Sequence, residues 1–107
     1  MDAAQRLREN GVRVDTAQIA AIARRFSVEE ISVFGSSIRG DITDDSDIDL
    51  LITFTEKSEI SLFDLMDLEQ QLSDLFRRPV DIVEPAALKN PIRRREILST
   101  KQRLYAA

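Results

Sequence analysis

Two hydrophobic rhythms take turns along this chain. Ile19, Ile22, Ala23 and Phe26 recur at the three-and-four spacing of one buried helix stripe, and Leu65, Leu68, Leu72 and Leu75 or Phe76 repeat it later. Between and after them, Ile31 to Phe34, Ile48 to Phe54 and Val80 to Val83 are short apolar runs of strand length. Local signals set the limits. Asp2 to Asn10 reads as a short helix stopped by Gly11. Asp15 or Thr16 caps the second helix, with Gln18 at capping-box spacing from Asp15, and Arg24 and Arg25 suit its C-terminal dipole. Thr55 to Ile60 is a polar loop. Ser61, with Asp64 three residues on, caps a helix over Leu62–Phe76, which Arg77-Arg78-Pro79 ends. Asn90-Pro91 opens a last helix, Pro91–Ser99, and Lys101–Tyr105 completes the order as a short final strand. The predicted fold class is α/β, a small mixed sheet flanked by helices, in one domain over 1–107 with two N-terminal helices in 1–29.

On the long helix Leu62, Phe63 and Met66 widen the apolar surface beyond one stripe. They are expected to join the core; the alternative is a partner's landing place, to be sought by charge substitution.

Composition narrows the chemistry more than the fold. The chain has neither cysteine nor histidine. A disulfide framework, a thiolate zinc site, a thiol nucleophile and an imidazole base are all excluded, leaving carboxylates, hydroxyls, Lys, Arg and a hard metal. With no signal peptide and no apolar run near the ~20 residues of a membrane span, a soluble cytoplasmic protein is expected. The net charge of −4 is uneven. Residues 1–40 hold six arginines against five acids; 41–74 hold eleven acids and one lysine; 75–107 hold eight bases and three acids. An acidic centre beside a basic tail is unlike a uniformly basic nucleic-acid binder, and no direct nucleic-acid contact is expected.

That acidic centre ends in Asp47-Ile48-Asp49. Alternation puts Asp47, Asp49, Leu51 and Thr53 on one face of the strand and Ile48, Leu50, Ile52 and Phe54 on the other. Two charges ~6 Å apart repel by roughly 3 kcal/mol at an effective dielectric near 20. Either a divalent cation sits between them or one Asp holds a proton. A P-loop is excluded, because Gly35-Ser-Ser-Ile-Arg-Gly40 is followed by Asp41-Ile42 where Lys and Ser/Thr are needed. An EF-hand is excluded too. Asp45, Asp47, Asp49 and Glu56 fall at ligand spacing, but Leu50 stands where the loop needs Gly.

One pattern remains. A strand ends in Gly35-Ser36, ten residues intervene, Asp47-x-Asp49 starts the next strand, and Asp81 lies in a third. This resembles the signature of the polymerase beta-like nucleotidyltransferase superfamily. The run GSSIRGDITDDSDIDLLITF is similar to the minimal nucleotidyltransferase (MNT-domain) antitoxins, as is VDIVEPAALKNPIRRREILSTKQRLY, so the resemblance covers residues 30–105 as a catalytic core.

The resemblance implies that Gly35, with the amides after it, and Ser36 hold the phosphates of ATP. It implies that Asp47, Asp49 and Asp81 bind two Mg²⁺ ions, with Asp81 also placed to take the proton of an attacking hydroxyl. Ser37 and Arg39 are candidate nucleotide contacts; Arg39 is read as bracing the loop through Asp44 or Asp45, with phosphate contact as the alternative. Of Arg93, Arg94 and Arg95, which fan around a helix, one reaches the nucleotide or a partner and the others are solvated. Tyr105 is read as packing on the sheet. The implied activity is AMP transfer from ATP to a tyrosine hydroxyl of a HEPN ribonuclease toxin, which binds as a hetero-oligomeric partner and is silenced. Two alternatives stay open: an antitoxin acting by binding alone, and a subunit that adenylylates a small molecule beside a separate helical protein.

Overall fold

The computed structural model describes residues 1–107. Five α-helices and four strands follow one another: α1 Ala3–Glu9, α2 Thr16–Arg25, β1 Val28–Phe34, α3 Ser36–Arg39, β2 Ile48–Phe54, α4 Leu62–Phe76, β3 Val80–Val83, α5 Pro91–Thr100 and β4 Gln102–Ala106. A single 3-10 turn at Pro85–Ala87, absent from the sequence reading, precedes α5.

The helix starts follow their caps. The Asp2 carboxylate accepts the Gln5 amide and Asp15 accepts the Gln18 amide, at 2.8 and 3.1 Å. Ser61 and Asp64 close a reciprocal capping box at α4. Asn90 accepts the amides of Ile92 and Arg93, with Pro91 in the first turn of α5. Helix α4 ends on Arg77 in a left-handed conformation (φ 57°), and the Ser73 hydroxyl bonds the Arg78 carbonyl beyond it.

The sheet order is β3-β2-β1-β4. Strand β1 lies antiparallel to β2 and to β4, whereas β2 and β3 are parallel, so the sheet is mixed as expected. Strand β1 starts three residues before the alternating run, at Val28, and a register shift between Val28 and Glu30 accommodates the two glutamates. Ile31, Val33, Ile48, Leu50, Ile52 and Val80 point to one face and pack with residues of α1, α2 and α4, among them Leu7, Ile19, Leu68, Leu72 and Phe76. Tyr105 packs at the margin of this cluster. The other face carries a much smaller cluster of Phe34, Leu51, Leu88 and Ile97, built largely by α5 and the segment leading into it. The sheet is therefore thickly covered on one side and thinly on the other.

The expectation that Leu62, Phe63 and Met66 enter the core is overturned: they are 69, 81 and 58% exposed. The inward stripe of α4 is Leu68, Leu72 and Phe76, spaced by four, and the three exposed side chains lie off it, in the first turns.

Candidate active site

The thinly covered face holds the acidic residues. In the parallel pair of β2 and β3, Asp49 is the partner of Asp81, so both carboxylates leave the sheet on the side opposite Ile48 and Val80. Asp47 sits one residue before β2, exposed, and Asp81 is exposed on β3; Asp49 is half-buried between them. Burial raises the Asp49 carboxyl above its ordinary pKa, and the charges of Asp81 and then Asp47 raise it further, while Arg39 and Arg93 pull the other way. Like charges have been gathered on one face with incomplete compensation, which disfavours the ionised form of the central member.

Gly35 faces Asp49 across the sheet. Phe34, the last residue of β1, pairs with Asp49, and the chain then turns through Gly35 at φ 80°, ψ −156°, where a side chain is strained. A Cβ built there collides with the Asp49 carboxylate. The glycine thus satisfies two demands at once, a backbone angle and a seat for a carboxylate. The single turn α3 follows, the amides of Ile38 and Arg39 bonding the Gly35 carbonyl at 3.2 and 3.0 Å.

The remaining candidates separate. Ser36 is half-buried at the start of α3. Ser37 is 1% exposed, and its carbonyl accepts the Asn10 side-chain amide at 2.7 Å, which ties the turn to the end of α1. Arg39 does brace, but through Asp41 at 3.2 Å instead of Asp44 or Asp45. The loop before β2 is held by a residue the sequence reading passed over. The Arg78 guanidinium donates to the Thr43 carbonyl at 2.7 Å and the Ser46 carbonyl at 3.3 Å, and the Ile48 amide bonds the Pro79 carbonyl at 2.9 Å. These bonds clamp the Asp47 segment to the one carrying Asp81. Only the position of Arg78, just before a strand that must pair with β2, hinted at this role.

Hard oxygen donors of net negative charge suit a hard divalent cation, Mg²⁺ among them, and not the softer metals that Cys or His would hold. The raised proton affinity of Asp49 is the mark of a site that a cation would relieve, and in that respect the residues fit the metal. As placed, however, no three acidic side chains converge closely enough to form a ligand set on their own. Nor is any cavity of the chain lined by Asp47, Asp49 or Asp81: the acidic face is open.

The sequence pattern of the nucleotidyltransferase domain family matches residues 17–104. The chain belongs to that family. As a nucleotidyltransferase it is 42% identical over 77 residues to the protein adenylyltransferase MntA of Thermococcus cleftensis, an alignment covering 72% of this chain and 76% of that one. Its fold is that of a toxin–antitoxin complex solved with AMP-PNP, at a TM-score of 0.68 and 19% identity, covering 88% of this nucleotidyltransferase and 75% of the solved chain. It is likewise similar to a structure of a tri-AMPylated Shewanella oneidensis HEPN toxin in complex with MNT antitoxin, at a TM-score of 0.59 and 16% identity over 94 and 73% of the two chains. No helix of this nucleotidyltransferase is long and apolar enough to cross a membrane.

Proposed function

We propose that this nucleotidyltransferase is an antitoxin that transfers AMP from ATP to a tyrosine hydroxyl of a cognate HEPN ribonuclease toxin in the cytoplasm, and so silences it. The observation that carries the proposal is the register of Asp49 against Asp81, with Asp47 close by and the Gly35 turn under Asp49. The names of its relatives support the donor and the partner, since one is a protein adenylyltransferase and a fold neighbour is bound to an AMPylated HEPN toxin.

In this reading Gly35 lets the triphosphate approach the backbone, and Ser36 offers its hydroxyl to the same phosphates. Asp47, Asp49 and Asp81 would hold two Mg²⁺ ions, which supply neutralisation of the triphosphate and of the charge developing at the α-phosphorus. The tyrosine oxygen forms a bond to the α-phosphorus, the bond from that phosphorus to the departing oxygen breaks, and its electron pair leaves with pyrophosphate. Asp81, exposed on β3, accepts the tyrosine proton. The open acidic face supports a protein acceptor, because a docked toxin supplies the wall that this chain does not build.

The test is intact-mass analysis of the co-purified toxin after incubation with the chain, ATP and Mg²⁺. The toxin is expected to gain one or more AMP units on tyrosine, and Asp47→Asn with Asp49→Asn abolishes the gain. If that double variant protects cells from the toxin as well as wild type does, neutralisation is by binding alone and the transfer reading falls.

A further inference from the structure

Three consecutive arginines open α5, and the structure gives them three different surroundings. The Arg94 guanidinium donates to the Pro85 carbonyl at 2.9 Å and is thereby committed to holding the 3-10 turn. Arg95 lines a shallow hollow on the helix's outer side with Ile92, Glu96 and Ser99. Arg93 lies four residues before Ile97, the one buried residue of the helix, and so on the same stripe, one turn nearer the N-terminus. Ile97 packs on Phe34 and Leu51; Phe34 is the cross-strand partner of Asp49, and Leu51 is two residues beyond it on the same face. The stripe that docks α5 therefore aims Arg93 along the acidic face.

Two more observations bear on this side chain. Only two ion pairs form in the chain, Arg39–Asp41 and Arg103–Glu30, and Arg93 is in neither. It also sits in the first turn of α5, where a positive charge opposes the helix dipole and no acidic residue offsets it. An exposed arginine placed against local electrostatic preference, unpaired and turned toward an acid cluster, fits a ligand more negative than any neighbour it has. A planar guanidinium matches phosphate oxygens two at a time.

We propose that Arg93 is the residue of α5 that grips the triphosphate of the nucleotide over the Asp49 face, while Arg94 and Arg95 take no part in nucleotide binding. This rests on the nucleotidyl-transfer reading and adds to it the positive half of the site. Arg93 contacts the phosphates lost as pyrophosphate, so it discriminates a triphosphate from a monophosphate and contributes most as negative charge gathers on the leaving group.

The experiment is calorimetric titration of the full chain with ATP and with AMP, in Mg²⁺, for wild type, Arg93→Ala, Arg93→Lys and Arg95→Ala. Losing one charge-assisted phosphate contact is expected to weaken ATP binding about tenfold or more. AMP binding stays within about twofold of wild type, Arg93→Lys recovers part of the loss, and Arg95→Ala changes neither ligand. With the toxin as acceptor, Arg93→Ala raises the KM for ATP. Equal ATP affinity in wild type and Arg93→Ala overturns the proposal, as does an equal loss for ATP and AMP, which would mark a structural role. Should wild type bind ATP through Arg93 yet modify no toxin, the Arg93 assignment stands and the acceptor reading falls; should wild type bind no ATP, both fall.

Discussion

Replacing Gly35 with alanine tests the contact between the β1 turn and the Asp49 carboxylate. The substitution imposes a side chain on φ 80°, ψ −156°, which costs of order 1–3 kcal/mol through the backbone alone. It also drives the new methyl into the Asp49 carboxylate, which must swing aside. Residues sharing a contact of this kind couple by about 0.5–3 kcal/mol, so a total loss of roughly 1.5–6 kcal/mol is expected. Gly11→Ala calibrates the backbone part, because Gly11 has φ 87° and open space around it. Urea unfolding of the two single variants, of Asp49→Ala and of Gly35→Ala with Asp49→Ala forms a double-mutant cycle. Without the carboxylate, Gly35→Ala falls to its backbone cost alone, about 1–3 kcal/mol. If Gly35→Ala costs the same to within ~0.3 kcal/mol whether or not the Asp49 carboxylate is present, the two groups do not touch and the seat described for Asp49 is wrong.

Asp49 also sets a pH dependence. Its carboxyl is raised above the ordinary 3.8, chiefly by burial, so the ionised form destabilises the fold. That penalty is complete above the raised folded-state value, fades as pH falls through it, and is gone below the ordinary one. Asp49→Asn should therefore melt higher than wild type at pH 7 without Mg²⁺ and lose the advantage on acidification; a gap constant with pH contradicts the assignment. Removing the α4 cap by Ser61→Ala is expected to cost about 1 kcal/mol in urea unfolding, and no loss would show that the capping box is unimportant. Phe63→Asp, at a side chain 81% exposed, should leave stability within ~0.5 kcal/mol of wild type, whereas a large fall in Tm would place Phe63 in the core after all.

What the sequence disclosed was chiefly what neighbouring residues decide. Ser61 with Asp64 and Asn90 with Pro91 name helix starts through bonds spanning three residues or fewer, and both stand as read. The face of Asp49 follows from alternation, and the Asp-x-Asp spacing carried the family. What stayed hidden depends on distant partners. Val28 belongs to β1 only because its place opposite Phe54 draws the two glutamates into the sheet. Arg77 and Ser27 adopt left-handed backbone with no glycine to announce it. Leu62, Phe63 and Met66 are as apolar as the residues that are buried, and only the rotation of α4 about Leu68 and Leu72 decides which of them meets the sheet. Arg78 and Arg39 illustrate the same limit within the site. Both are arginines near an acidic loop, yet the one 35 residues from Thr43 bonds two of its carbonyls, whereas the nearer one reaches only Asp41, two residues away.

The unequal covering of the two sheet faces separates what keeps this protein folded from its acidic face. Cohesion resides with the helices behind the sheet, and the apolar cover in front is little more than Phe34, Leu51, Leu88 and Ile97. Mutations can rewrite the front, even erasing its carboxylates, while the scaffold survives.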